Sequence, residues 1–312
     1  MSSIHTNTAA MTALKSLQMT NQALESTQKN ISTGYRVSDA SDNAAYWSIA
    51  TTMRSDNKAL STVEDALGLG AAKVDVAYTA MNSAIDVVDE IKSKLVASKE
   101  PGVDKTKIQS EITALQGQLT SIAESASFSG ENWLNFEDTS GTSKDIVASF
   151  TRDSSGSVSI GTISIDVSNV KLFGTDGAGT PANNGMLNKD YTTANGAGTP
   201  VNVTYTIATL DITAANVDDT VIDGMLSNVE TTLEDMTTAA ADLGASKSRI
   251  DMQTEFVGNL MDSISSGIGK LVDADMTEES TRLQALQTQQ QLGIQALSMA
   301  NSGSQSLLSL FR

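Results

Sequence analysis

The sequence predicts a mainly α protein: a long antiparallel coiled-coil or helical bundle built from both terminal arms, with a small β-rich outer domain inserted between them. Three observations predict it. Apolar residues recur every seven positions in both halves of the chain, the period drops to two in between, and only 4% of the 312 residues are aromatic. Aromatic rings dominate the core and pocket energetics of compact enzymes, so this chain points instead to long aliphatic seams.

The first arm carries the clearest signal. Met53, Leu60, Leu67, Val74, Met81, Val88 and Leu95 stand seven apart, with Val63, Gly70, Ala77, Ala84 and Ile91 three residues after successive members. This is an a/d heptad seam whose small d residues allow close approach of a partner. Unbroken, the segment from Met53 to Leu95 would extend roughly 65 Å. Pro101-Gly102 ends it, because proline cannot continue a helix and glycine supplies the turn. A second stripe at Ile108, Ile112, Leu115, Leu119, Ile122 and Ala126 is short enough to fold back as a helical hairpin. The run SFSGENWLNF (127–136) closes this part with a turn and the chain's one cluster of bulky aromatics.

The other arm repeats the pattern at Ile222, Val229, Met236, Leu243, Ile250, Val257, Ile264 and Leu271, flanked by Leu226, Leu233, Ala240, Met261 and Ile268. Two arms with matching heptads, far apart in sequence, should pack on each other. Between 137 and 220 the composition shifts to Thr, Ser, Gly, Asn and Asp. Alternation at Val158/Ile160, Ile163/Ile165/Val167 and Val201/Val203/Tyr205/Ile207 predicts half-buried strands, and Gly174, Gly177, Gly179-Thr180-Pro181 and Asn184-Gly185 mark the turns.

The extreme ends differ again. Ile4, Met11, Leu14, Leu17, Leu24 and Ile31 at the front, and Leu283, Leu286, Ile294, Leu297, Leu307, Leu308 and Phe311 at the back, are separated by Asn, Gln, Ser and Thr. Each end forms an amphipathic helix with a seam too thin to be stable alone. Each therefore needs the other end, or neighbouring subunits.

Composition removes much chemistry. There is no Cys and one His (His5), so disulfides, Cys nucleophiles, thiolate zinc sites and multi-His metal centres are excluded within one chain. A net charge of −17 repels nucleic-acid phosphates and anionic lipid heads. No apolar run approaches the ~20 residues that span a bilayer, and the opening MSSIHTNTAAMTALKSLQM lacks the basic and apolar regions of a secretory signal. The adjacent carboxylates Asp218-Asp219 and Glu278-Glu279 do not converge on one substrate atom. Neither an enzyme activity nor any cofactor or metal is implied. These rules alone give a cytosolic protein.

The terminal motifs carry a resemblance. LVDADMTEESTRLQALQTQQQLGIQALSMANSGSQSLLSLFR (271–312), with its Leu-Leu-Ser-Leu-Phe-Arg ending, is similar to the C-terminal signature of bacterial flagellins. ISTGYRVSDASDNAAYWSIA (31–50) resembles their Leu-Ser-Ser/Thr-Gly-x-Arg-Ile segment, and SFSGENWL (127–134) resembles their Phe-Asn-Gly turn. The match covers both arms and looks most like flagellins of rhizobium-related soil alphaproteobacteria; the middle carries no such likeness.

The resemblance implies a structural subunit of the extracellular flagellar filament used for swimming, exported without a cleavable signal through the flagellum's own type III channel. It implies filament-core helices from residues 1–44 and 272–312, a helical shell from 45–136 and 221–271, and a variable outer domain from 137–220. The partners implied are further copies of the chain, other flagellins, the export apparatus, a flagellin chaperone, and the filament cap and hook-associated proteins. Arg36, Asp39, Asp42 and Arg54, at the join between end helix and shell helix, are candidate inter-subunit polar contacts; the alternative reading of the same stretch is solvated polar residues with an N-cap at Ser41 or Asp42. A hook–filament junction protein shares these terminal helices. A secreted coiled-coil adhesin would need only the heptads.

Overall fold

The computed structural model describes residues 7–137, 142–175, 181–196 and 201–309. The chain divides into two compact units, Met1–Lys58 with Leu260–Arg312, and Ala59–Asn259. Both boundaries fall inside long helices, beyond the joins at 44/45 and 271/272 that the resemblance implies.

The first unit is built around two helices, α1 (Thr8–Thr33) and α5 (Met276–Ser309). Asn7 caps α1 by accepting from the Ala10 amide, and Gly34 ends it in the left-handed region at φ 75°, where glycine meets no steric penalty. Asp275 caps α5 through the Thr277 and Glu278 amides at 2.8 and 3.2 Å. The two helices run antiparallel. Asn7 Nδ2 donates to Ala300 O at 3.0 Å, Gln290 Nε2 to Asn21 Oδ1 at 2.8 Å, and Asn30 Nδ2 to Glu279 Oε1 at 3.3 Å. Between these polar bridges Leu17 lies against Gly293, whose missing Cβ would stand 3.2 Å from a Leu17 methyl. The start of α2 (Ala44–Ala97) and the end of α4 (Asp219–Val272) complete this unit around Val37, Ala50, Ile268 and Val272, with Met53, Ile264 and Leu271 packed beside them.

In the second unit α2 and α4 are antiparallel and joined by ion pairs: Asp75 with Lys247, Lys92 with Glu230, and Lys99 with Asp223. The partners advance step for step, one residue forward on α2 for one back on α4, as an unbroken coiled-coil register requires. Helix α3 (Lys105–Ser125) folds back on α2, with Lys94 bridging Glu90 and Glu111. The heptad positions are the core. Leu67, Val74, Met81, Val88, Leu95, Ile222, Val229, Met236 and Ile250 are all fully buried.

Two stripes differ from expectation. On α4 the buried flank is Met225, Thr232 and Ala239, while Leu226 and Leu233 are half-buried. Thr232 is tolerated there because its hydroxyl bonds Asn228 O at 2.9 Å and meets the Tyr191 hydroxyl at 2.8 Å. On α3 Leu115 and Ile122 are half-buried and Gln116 sits inside, its amide donating to Ile207 O and Leu210 O, both at 3.0 Å.

The middle segment is a set of small ribbons. β1 (Ser127–Phe128) and β2 (Glu131–Asn132) form a tight hairpin across Ser129 and Gly130, both at positive φ. β3 (Asn135–Glu137) pairs parallel with β6 (Phe173–Thr175), which pairs antiparallel with β7 (Pro181–Ala182). β4 (Ser143–Arg152) and β5 (Val158–Asp166) make the longest hairpin, and β8 (Tyr191–Ala194) pairs with β9 (Asn202–Tyr205). Ile207 lies in a short 3-10 turn (Ile207–Thr209) rather than in a strand. Sequence periodicity misses β4 because a bulge between Val147 and Ser149 shifts its alternation.

These ribbons rest on the helices within the same compact unit. Ile146 of β4 fills the space beside Gly70, where a Cβ would stand 2.5 Å from an Ile146 methyl. Gly70 therefore admits a strand side chain as well as keeping the heptad small. Gln253 of α4 donates to Ala148 O at 2.9 Å, at the bulge, and Asn228 donates to the Tyr205 hydroxyl at 2.7 Å.

Candidate assembly site

The terminal-helix and polar candidates gather in the first unit, at the joint between α1 and α2 and along the α1–α5 pair, while most shell-seam residues lie in the second unit. The joint forms because Gly34 turns the chain and lays residues 34–37 against the end of α4. Arg36 N and Val37 N both donate to Val272 O, at 2.7 and 3.2 Å, and Ala274 N donates to Gly34 O at 2.9 Å. Tyr35 and Asp273 form an antiparallel bridge. Val37 then enters the small apolar core beneath.

Each of the four candidate polar residues has a partner inside the chain. The Arg36 guanidinium donates to Leu271 O at 3.1 Å, and that of Arg54 stacks 4.9 Å from the centre of the Tyr35 ring. Asp39 accepts from Lys29 Nζ at 2.6 Å. Asp42 Oδ2 accepts from the Ser38 and Asp39 amides at 3.0 and 3.1 Å and receives Lys29 at 3.5 Å. Their electrostatics follow. The hydrogen bond to Lys29, then its charge, holds the Asp39 carboxyl below its usual range; the Asp39 and Ser38 amides do the same for Asp42. Lys29 is held above its usual range, chiefly by its bond to Asp39.

The cap of α2 is Asn43, neither Ser41 nor Asp42. Its Oδ1 accepts from the Ala45 and Tyr46 amides, both at 3.1 Å. Asp42 is held too far back for this, because it closes the preceding turn on Ser38.

Along α1–α5 the expected core positions separate into two groups. Leu17, Leu24, Ile31, Leu283, Leu286 and Leu297 are half-buried in the stripe between the helices. Met11, Leu14 and Ile294 are exposed, at 60%, 47% and 55%. Met19, Leu292 and Met299 join them at 56%, 58% and 72%. Ile4 and Phe311, and the side chains of Leu307 and Leu308, lie outside the described residues. Of the shell-seam residues in this unit, Met53, Ile264 and Leu271 are half-buried around the Val37 cluster.

Sequence reasoning missed the polar layer where α1 meets α5. Thr27 and Glu279 are buried at 3% and 5% exposure, and Glu279 Oε1 takes Asn30 and Arg282, both at 3.3 Å, while its Oε2 has no partner among the described residues. The signal available was Asp275-Met276-Thr277-Glu278, a capping-box spacing that places the following Glu279 one turn inside the helix. Of the carboxylate pairs read from sequence, Asp218 caps α4 through the Val221 amide while Asp219 faces Lys105, whereas Glu278 and Glu279 both pair with Arg282. Among the described residues no group of His, Asp or Glu could hold a metal, and no described helix is long and apolar enough to cross a membrane.

Paired terminal helices, a heptad-built helical unit and an insertion seated on it define a coiled-coil structural protein. Comparison with known proteins specifies it further. Residues 4–139 match the bacterial flagellin N-terminal helical region and residues 226–311 the bacterial flagellin C-terminal helical region. The chain is 53% identical to Flagellin C and 46% identical to Flagellin A of Rhizobium meliloti (strain 1021), and 48% identical to a flagellin of Brucella melitensis, each over the full length of both proteins. The chain belongs to the bacterial flagellin family and is a structural subunit of the extracellular flagellar filament.

Proposed function

We propose that this chain polymerises through its terminal helices, with residues 1–44 and 272–312 as the filament core, 45–136 and 221–271 as the surrounding helical shell, and 137–220 facing outward. One observation supports this most directly. Met11, Leu14, Met19, Leu292, Ile294 and Met299 are large apolar side chains left 47–72% exposed on a helix pair that already uses its other faces for internal packing. Exposed apolar side chains concentrated on one helix pair mark a surface for interaction, which further copies of the same helices would cover. Tyr46, Trp47 and Ile49, at 37–50% exposure on the first turns of α2, extend that surface past the joint.

In this reading Arg36, Asp39, Asp42 and Arg54 first hold the joint within each subunit and present their free edges to neighbouring protofilaments. The chain does no catalysis. It leaves the cell without a cleavable signal, through the export apparatus, escorted by a chaperone and added beneath the filament cap onto hook-associated proteins, alone or with other flagellins. Nothing in the geometry favours the junction-protein or adhesin readings. Expression in a strain deleted for all its flagellins tests the proposal: filaments and swimming return if it holds. Hook structures without filaments, with the chain exported, would move it to the junction.

A further inference from the structure

Oxygen-transferring oxidants have one kind of sulfur to attack in this protein. The chain has no cysteine and 12 methionines, so no thiol competes for peroxide. The described methionines span the whole range of burial: three are sealed, Met53, Met186 and Met261 are half-buried, and five are open, Met252 and Met276 at 60% and 45% among them. Met81, Met225 and Met236 are sealed in the helical core at 0–1% exposure. Met11 and Met19 on α1 and Met299 on α5 are open at 60%, 56% and 72%. All three stand on the paired stretch of α1 and α5, where Asn7 bonds Ala300 at one end and Leu17 lies on Gly293 further along.

We propose that Met11, Met19 and Met299 are oxidation sites through which peroxide blocks assembly of the free subunit, while subunits already in the polymer are protected. This rests on the reading that further copies cover the outer faces of the α1–α5 pair. In the reaction the thioether sulfur takes one oxygen atom from hydrogen peroxide, giving a sulfoxide, and the peroxide departs as water. The sulfur loses the two electrons that the peroxide gains. The product carries a strong S=O dipole in place of an apolar thioether, and burying such a group without a donor is unfavourable. Exposure decides which sulfurs react, so a subunit is vulnerable before it joins the polymer and shielded afterwards.

The test uses the full-length protein as monomer and as sulfate-induced filament, both treated with hydrogen peroxide and mapped by peptide mass spectrometry. In the monomer Met11, Met19 and Met299 should oxidise roughly tenfold or more faster than Met81 and Met236, because accessibility controls the rate. In the filament the three should slow to the rate of the buried pair. Oxidised monomer should then elongate filament seeds at least several-fold more slowly, and the triple variant Met11→Leu/Met19→Leu/Met299→Leu should lose far less of its elongation to peroxide than the parent chain, although Met252 and Met276 remain open to oxidation in both. Leucine keeps side-chain volume and apolarity. If the triple variant fails to elongate untreated, Met299→Leu alone is compared, and it should retain more elongation after peroxide than the parent chain. Equal oxidation of the three sites in monomer and filament would overturn the assembly reading itself. Protection in the filament combined with normal elongation by oxidised monomer would overturn the oxidation proposal and leave that reading standing.

Discussion

Mutation separates the bond that Arg36 makes within the chain from the inter-subunit contact proposed for it. Within the chain its guanidinium makes one exposed bond to Leu271 O, so Arg36→Ala should lower monomer stability by only about 1 kcal/mol, the usual worth of one such bond. If its free edge also contacts a neighbour, the critical concentration for polymerisation should rise much further than that change accounts for. Denaturant melts beside sedimentation assays decide it, and proportionate losses in both would remove the inter-subunit role. The loop at Ser38–Asp42 carries a second prediction. Asp39 and Asp42 are held below their ordinary value of 3.8, so their contribution is complete above that pH and is lost as pH falls through the lower folded values. Lys29 is held above 10.5, so its share is complete below 10.5 and lost as pH rises through its folded value. The Ser38 and Asp39 amide resonances should therefore stay fixed across the intervening range and move only at its two ends; movement near neutrality would contradict the assignment. Sequence reasoning found these residues as a cluster but assigned the helix cap to Ser41 or Asp42. It could not see that Asp42 closes the preceding turn on the Ser38 and Asp39 amides and leaves the cap to Asn43.

At the scale of elements, Gly70 shows what a heptad reading captures and what it omits. Its spacing identifies a small d position, and only the fold shows that Ile146 from a strand 76 residues later occupies the space. Gly70→Val should force the β4–β5 hairpin off α2 and cost about 1–3 kcal/mol, as overpacking does. Increased proteolytic cleavage confined to the hairpin would report it, and unchanged protection would mean that the hairpin does not depend on this seat. The helices were legible because their cores repeat over many turns, so local irregularities average out. Of the ribbons, β5 and β9 were legible from their alternation, while the other strands were not, because most are short and rely on partners set by long-range packing. β4 hides its alternation behind the bulge at Ala148, and Ile207 continues the alternation of β9 while turning into a 3-10 segment held by Gln116. Gln116 sits in an apolar stripe yet serves as an anchor for that loop, which no periodicity announces.

At the scale of the whole molecule, one chain holds two kinds of helix pairing. In the Ala59–Asn259 unit the heptad seams of α2 and α4 are fully buried and bridged by ion pairs, while Val96, Ile160, Met252 and Phe256 stay 54–62% exposed away from them. The α1–α5 pair has a half-buried stripe, three polar bridges and large apolar residues on its outer faces, so it is incomplete alone. That contrast is the physical content of a polymerising subunit, and the family's terminal signatures fall on the incomplete part. The most direct measurement is negative-stain electron microscopy after sulfate-induced assembly, comparing the intact chain with a version lacking residues 272–312; sulfate favours apolar burial by exclusion from protein surfaces. The account predicts long filaments from the intact chain and soluble, folded, unassembled protein from the truncation. Filaments from the truncated chain would place the polymer contacts elsewhere and contradict it.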